Sequence, residues 1–172
     1  MAIIGARKYQ LAVALPGQRM SYQDKTVYKG DLDETINGMD SRMPLGRFVC
    51  KPATGYKGDL QLPSATHTIV IGVVPQQAGY ERNPVTGEGG IPSKFPMAYA
   101  TEGVFAIEMV AGINAGDDIV IAADDADADN KGKAAPTAYA NNSLAVPNNY
   151  RVIRVVDNLA IIEIDFDPTL IG

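Results

Sequence analysis

Four aspartates fall within six positions of the stretch AADDADADNKGKAAP, residues 122–136, at Asp124, Asp125, Asp127 and Asp129. Closely spaced loop carboxylates are what a calcium site offers, and a loop of the EF-hand kind starting at Asp125 would use Asp127 and Asp129 as its next ligands. The same loop requires glycine at its sixth position and a bidentate glutamate at its twelfth, where this chain has Asn130 and Pro136. Calcium takes about six to eight oxygen ligands, and three loop carboxylates do not reach that number unaided. The stretch therefore reads as a solvated loop after a strand ending at Ala123, turned by Asn130, Lys131 and Gly132, with cation binding by the Asp124–Asp129 loop left as the alternative.

The other chemistry-bearing residues are isolated. His67 is the only histidine, so neither a multi-histidine metal site nor a second imidazole is available, and it opens a strand-forming run where a structural role is expected. Cys50 is the only cysteine, has no CxxC partner, and sits among strand formers in RFVCKP, as a small buried hydrophobe would. GEGG at 87–90 lacks the lysine and the following helix of a phosphate loop. No nucleophile, base and orienting group can be assembled from sequence. The expectation is no catalytic residue, no cofactor and no metal ligand, and a protein that is not an enzyme.

Composition narrows the class further. The chain has 172 residues, 17 glycines and 11 prolines, no tryptophan, and a net charge of −5. That is one loop-rich domain without disulfides. Charge is unevenly placed. Residues 1–57 carry nine Lys/Arg against five Asp/Glu, whereas residues 58–172 carry six against fifteen. An acidic body does not suit nucleic acid, which needs clustered cations. The basic leading third suits an acidic protein surface, or is simply solvated. LAVAL at 11–15 is too short to span a bilayer, and no secretory cleavage pattern follows it. No nucleic-acid or membrane partner is expected, and synthesis in the cytoplasm is.

The elements that must position these residues are strands. Pro16 to Gly46 shows no sustained period and reads as an extended segment, giving an N-terminal arm over 1–45 and a β domain over 46–172. RFVCKP (47–52), HTIVIGVV (67–74), MAYATEGVFAIEMVAG (97–112), DDIVIAA (117–123), YRVIRVV (150–156) and LAIIEIDF (159–166) read as strands. Asp157-Asn158 joins the last two as a two-residue hairpin turn, and Ile162, Ile164 and Phe166 face the core. Residues 75–96 form a long Gly- and Pro-rich loop. The fold class is all-β, a small barrel or sandwich behind a long extended arm.

The order THTIVIGVVPQQAGY, then MAYATEGVFAIEMVAGINAGDDIVIAADDADADNKGKAAP, then NNYRVIRVVDNLAIIEIDF resembles the head decoration, or structural cement, proteins of tailed bacteriophages over about the last two thirds of the chain. The resemblance implies a non-enzymatic virion component on the outer capsid surface. It implies the major capsid protein as partner, capsomers bridged to stabilise the shell, and a homo-oligomer, with a trimer favoured. Two other readings stay open on the residues alone: a tail or baseplate protein, and a carbohydrate or host-surface module using Tyr56, Tyr80 and Tyr99.

Overall fold

Short runs of β-branched and aromatic residues between glycine, proline and aspartate clusters favour strands over helices. The computed structural model describes residues 14–20, 27–29, 35–77, 89–123, 128–147 and 149–166, with 27–29 in backbone only, and no helix occurs among them. The fold is all-β.

The largest sheet follows the path β10 (Tyr150–Val156), β11 (Leu159–Asp165), β6 (Tyr99–Glu108), β5 (Ile69–Val73), β3 (Phe48–Lys51), and β1 (Val27–Lys29) also pairs with β6. Every pairing in it is antiparallel. A second sheet has the order β8 (Ala134–Pro136), β7 (Ile119–Ala122), β9 (Ser143–Ala145), and a two-stranded parallel sheet joins β2 (Ile36–Asn37) to β4 (Asp59–Leu60). The hairpin expected at Asp157-Asn158 is present: Val156 pairs with Leu159, and Asp157 takes φ 54, the left-handed backbone such turns use.

Three apolar clusters hold these layers together. The largest packs Phe48, Phe105, Ile162, Ile164 and Phe166 of the main sheet region against Ile119, Ile121 and Ala134 of the second sheet. The Phe48 and Phe166 rings stack with centroids 6.3 Å apart. A second cluster gathers Met43, Val49, Leu60, Ile71, Ile91 and Met97, and a third Val104, Ala106, Leu159 and Ile161. Two sheets sharing one core over an open strand order make this a sandwich. Each Phe, Ile or Leu fully buried in it contributes roughly 1.5–3 kcal/mol. Cys50 and Phe48 enter the first cluster while Val49 enters the second, so β3 is buried on both faces; β5 is likewise, which is why its sequence is a continuous apolar run.

Strand β6 changes face partway. Ala100 belongs to the first cluster, yet after Gly103, at φ 134, that cluster receives Phe105 and Ile107 while Val104 and Ala106 turn to the third. Alternation in the sequence changes phase by one residue because β1 pairs Tyr28 with Ala100 and Val27 with Glu102, leaving Thr101 as an extra, bulged residue of β6.

The segment expected to lack regular structure is, where described, tied to the body. Gly17 N donates to Ala106 O at 2.7 Å, Met20 N to Val104 O at 2.8 Å, and Ala14 and Met20 pack on the third cluster. Residues 35–45 supply β2, the fully buried Asn37, and Met43, also fully buried. Long-range backbone pairing and single buried side chains anchor these residues, and neither leaves a periodic pattern. The remainder of the expected arm, 1–13, 21–26 and 30–34, lies outside the described residues.

The acidic loop divides similarly. Asp124, Asp125 and Asp127 lie outside the described residues, and Asp129 is exposed in a turn where Lys133 N donates to Asn130 O at 3.0 Å. The chain then forms β8, at the end of the stretch expected as a loop, and β9, three residues each.

Candidate docking surface

Four large hydrophobic side chains are exposed among the described residues: Leu15, Tyr56, Phe95 and Ile153. Two of them, Tyr56 and Phe95, stand on turns that flank the same two-residue strand. Ile36 N donates to Gly58 O at 2.8 Å on one side of β2, and Asn37 N donates to Phe95 O at 2.9 Å on the other. The Tyr56 turn closes through Asp59 N to Tyr56 O at 3.1 Å, and the Phe95 turn through Phe95 N to Pro92 O at 3.3 Å with Lys94 at φ 57. Tyr56 is 59% exposed and Phe95 48%. Isolated exposed apolar residues are ordinary, but two aromatics held on one framework are what interface anchors look like.

The framework is stiff because Asn37 is. Its side-chain amide lies 2.9 Å from Ile91 O and 3.0 Å from both Ser41 O and Pro92 O, while its Oδ1 accepts from Met39 N at 2.9 Å. Buried polar groups satisfied this fully specify a single local arrangement. On the β4 side, His67 is buried, with Nε2 3.2 Å from Asp59 O and Nδ1 3.1 Å from the Thr66 hydroxyl. The histidine thus braces a turn, as the sequence led one to expect.

Each of the two aromatics has a lysine next to it in the sequence. Lys57 adjoins Tyr56, and Lys94 adjoins Phe95, with Nζ donating to Gly38 O at 2.7 Å and 3.5 Å from the exposed Asp40 carboxylate. Beside them lies a cavity of about 180 Å³ lined by Thr35, Lys51, Lys57, Tyr99 and Thr101 over an apolar floor of Leu60 and Ile71. Tyr99 is half-buried, and that burial raises its phenol pKa. It offers no exposed ring face beside Tyr56, and Tyr80 lies outside the described residues, so the stacking platform of the carbohydrate reading is not assembled among the described tyrosines.

Elsewhere the surface is of a different kind. An open groove over β6, β10 and β11 is lined by Glu102, Glu163 and Asp165, with Glu163 paired to Arg151 at 3.1 Å. Ile153 sits at a bulge between Val152 and Arg154 on β10, the end of the sheet path. A bulge and arginines on an end strand discourage sheet extension. Among the described residues no cluster of three metal-ligating side chains occurs.

This all-β chain is similar to a known protein class. A family profile described as structural cement protein (E217 gp24/Pam3 gp6) matches residues 5–166. The chain belongs to the structural cement protein family. A solved chain from "The capsid of Myoviridae Phage XM1" has a TM-score of 0.65 and 19% identity, covering 88% of this cement protein and 91% of that chain, a likeness of fold. A search of curated proteins finds no match. The match begins at residue 5, so the family pattern takes in the N-terminal segment as well as the last two thirds of the chain that carried the resemblance.

Sequence reasoning flagged Tyr56 and Tyr99 as exposed aromatics but not Phe95, Lys57 and Lys94 as their companions. Only the backbone pairing of β2 to both turns brings those positions together.

Proposed function

We propose that this cement protein docks on the outer surface of a phage head through the Tyr56–Phe95 tip and its lysines, bridging capsomers and so stabilising the shell. The observation that carries the reading is the placement of both aromatics, with Lys57 and Lys94, on turns pinned to the buried Asn37. Aromatic anchors supply contact area at low entropic cost, and the lysines select an acidic coat surface. The acidic groove at Glu102, Glu163 and Asp165 then faces solvent or a neighbouring copy.

The mechanism is linkage. A protein that binds the expanded lattice and not the free coat subunit lowers the free energy of the assembled shell with each copy bound. A homo-oligomer, of which a trimer is the favoured form, multiplies that effect by effective concentration. The leading 57 residues, with nine Lys/Arg against five Asp/Glu, add electrostatic attraction to an acidic coat surface. The role needs no chemistry, and we take the protein to be non-enzymatic.

Cosedimentation of the purified protein with expanded heads stripped of their cement tests this reading. Saturable binding that falls with salt and raises the melting temperature of the heads is expected. Binding absent at low salt overturns it.

A further inference from the structure

Three polar side chains that line the cavity beside the tip make no hydrogen bond or ion pair among the described residues: the Lys57 ammonium, the Tyr99 phenol and the Thr101 hydroxyl. Thr101 is only 4% exposed and lines this space. Donor groups that line one cavity and are not taken up by acceptors of the described residues are placed to receive an acceptor from a partner. The remaining lining fits this: Lys51 adds a second positive charge, and Leu60 and Ile71 form a floor for methylene groups. Burial raises the Tyr99 pKa, which keeps the phenol protonated as a donor.

We infer that the cavity lined by Lys57, Tyr99 and Thr101 is a carboxylate receptor, filled in the assembled head by an acidic side chain of the coat. The inference rests on the docking reading above and gives it a specific chemistry. A volume of about 180 Å³ suits a side chain and not a sugar or a nucleotide. The Lys57 ammonium and the Tyr99 and Thr101 hydroxyls match the lone pairs of one carboxylate, in the positive field to which Lys51 contributes. Thr35, whose hydroxyl donates to Met97 O, closes one wall, and Asp31, Asp33 and Glu34 immediately precede it. Those acids are the rival occupants.

The test has two arms on the full-length protein. In the first, acetate is titrated against the isolated protein while the Tyr99 ring and Thr101 methyl resonances are followed by NMR, with chloride as control. Acetate should shift both, and Lys57→Gln with Tyr99→Phe should weaken that response about tenfold, as loss of a charge-assisted hydrogen bond does. No acetate shift overturns the receptor whatever the heads do. A triple variant, Asp31→Asn, Asp33→Asn and Glu34→Gln, that binds acetate far more tightly than the parent shows that the chain fills its own site, and overturns the coat carboxylate. In the second arm the same Lys57→Gln/Tyr99→Phe variant is sedimented with stripped heads. A loss of about tenfold in affinity at unchanged melting temperature supports the inference, and unchanged affinity overturns it. An acetate response in a parent protein that does not bind heads leaves the receptor standing and refutes the docking reading instead.

Discussion

The Asn37 side chain donates to the Ile91 carbonyl at 2.9 Å in a fully buried site, joining residues 54 apart in sequence. This one amide holds the segment that carries β2 to the segment that carries Phe95. It converts a stretch with no periodic pattern into part of the core, and it fixes the angle at which the tip meets a partner.

Replacing Asn37 with Ala should therefore be among the most damaging single changes. The Ser41 carbonyl and the Met39 amide would lose this partner, and the Ile91 and Pro92 carbonyls would keep only their backbone bonds from Met43 N and Phe95 N. The expected cost is about 2–4 kcal/mol, read as a fall of about 5–15 °C in melting temperature for a domain of this size. A fall within 1 °C would show that the amide does not hold the two segments.

Gly90 gives an independent check on the same seam. Its φ is 87, and a Cβ there would sit 2.3 Å from Met43 O, where Met43 and Ile91 exchange backbone hydrogen bonds at 2.8 and 2.9 Å. Gly90→Ala should cost about 1–3 kcal/mol from strained backbone alone. Urea denaturation measures it, and a neutral result would contradict the close approach.

Cys50 should be chemically silent in the folded protein. Burial pushes its thiol up to about 12, against roughly 8.5 for an exposed cysteine. The folded state favours the neutral form, so the stability this confers is complete below the unfolded pKa and is lost as pH rises from about 8.5 toward the folded value. Disulfide-exchange reagents should label Cys50 only as fast as the protein opens. Cys50→Ala should show a shallower decline in melting temperature than the parent between about pH 9 and 11. Rapid native labelling would contradict its burial.

How much of this was legible in the sequence depended on where the signal resides. β3, β5, β6, β7, β10 and β11 announce themselves because apolar β-branched residues cluster between turn formers, and Asp157-Asn158 names its own turn. β8 and β9 are three residues each, too short and too poor in large side chains to carry a pattern. Residues 35–45 were read as arm because Asn37 and Met43 are buried individually, with no repeat to mark a face. The isolation of His67 and Cys50 was legible, and both are buried. The tip was half legible: Tyr56 stood out as an aromatic in a Gly-rich turn, but Phe95 joins it only through β2. Thr101 gave no signal, since a lone threonine in a strand is the commonest of residues there.

The most direct test of the account compares the parent protein with the double variant Tyr56→Ala/Phe95→Ala in cosedimentation with expanded, cement-free heads. Both side chains are exposed, so folding and melting temperature should barely change. Affinity for heads should fall by about a hundredfold if the two aromatics are the central anchors. Wild-type affinity in a folded double variant would contradict the account, and would mean that a different face of the protein holds the shell.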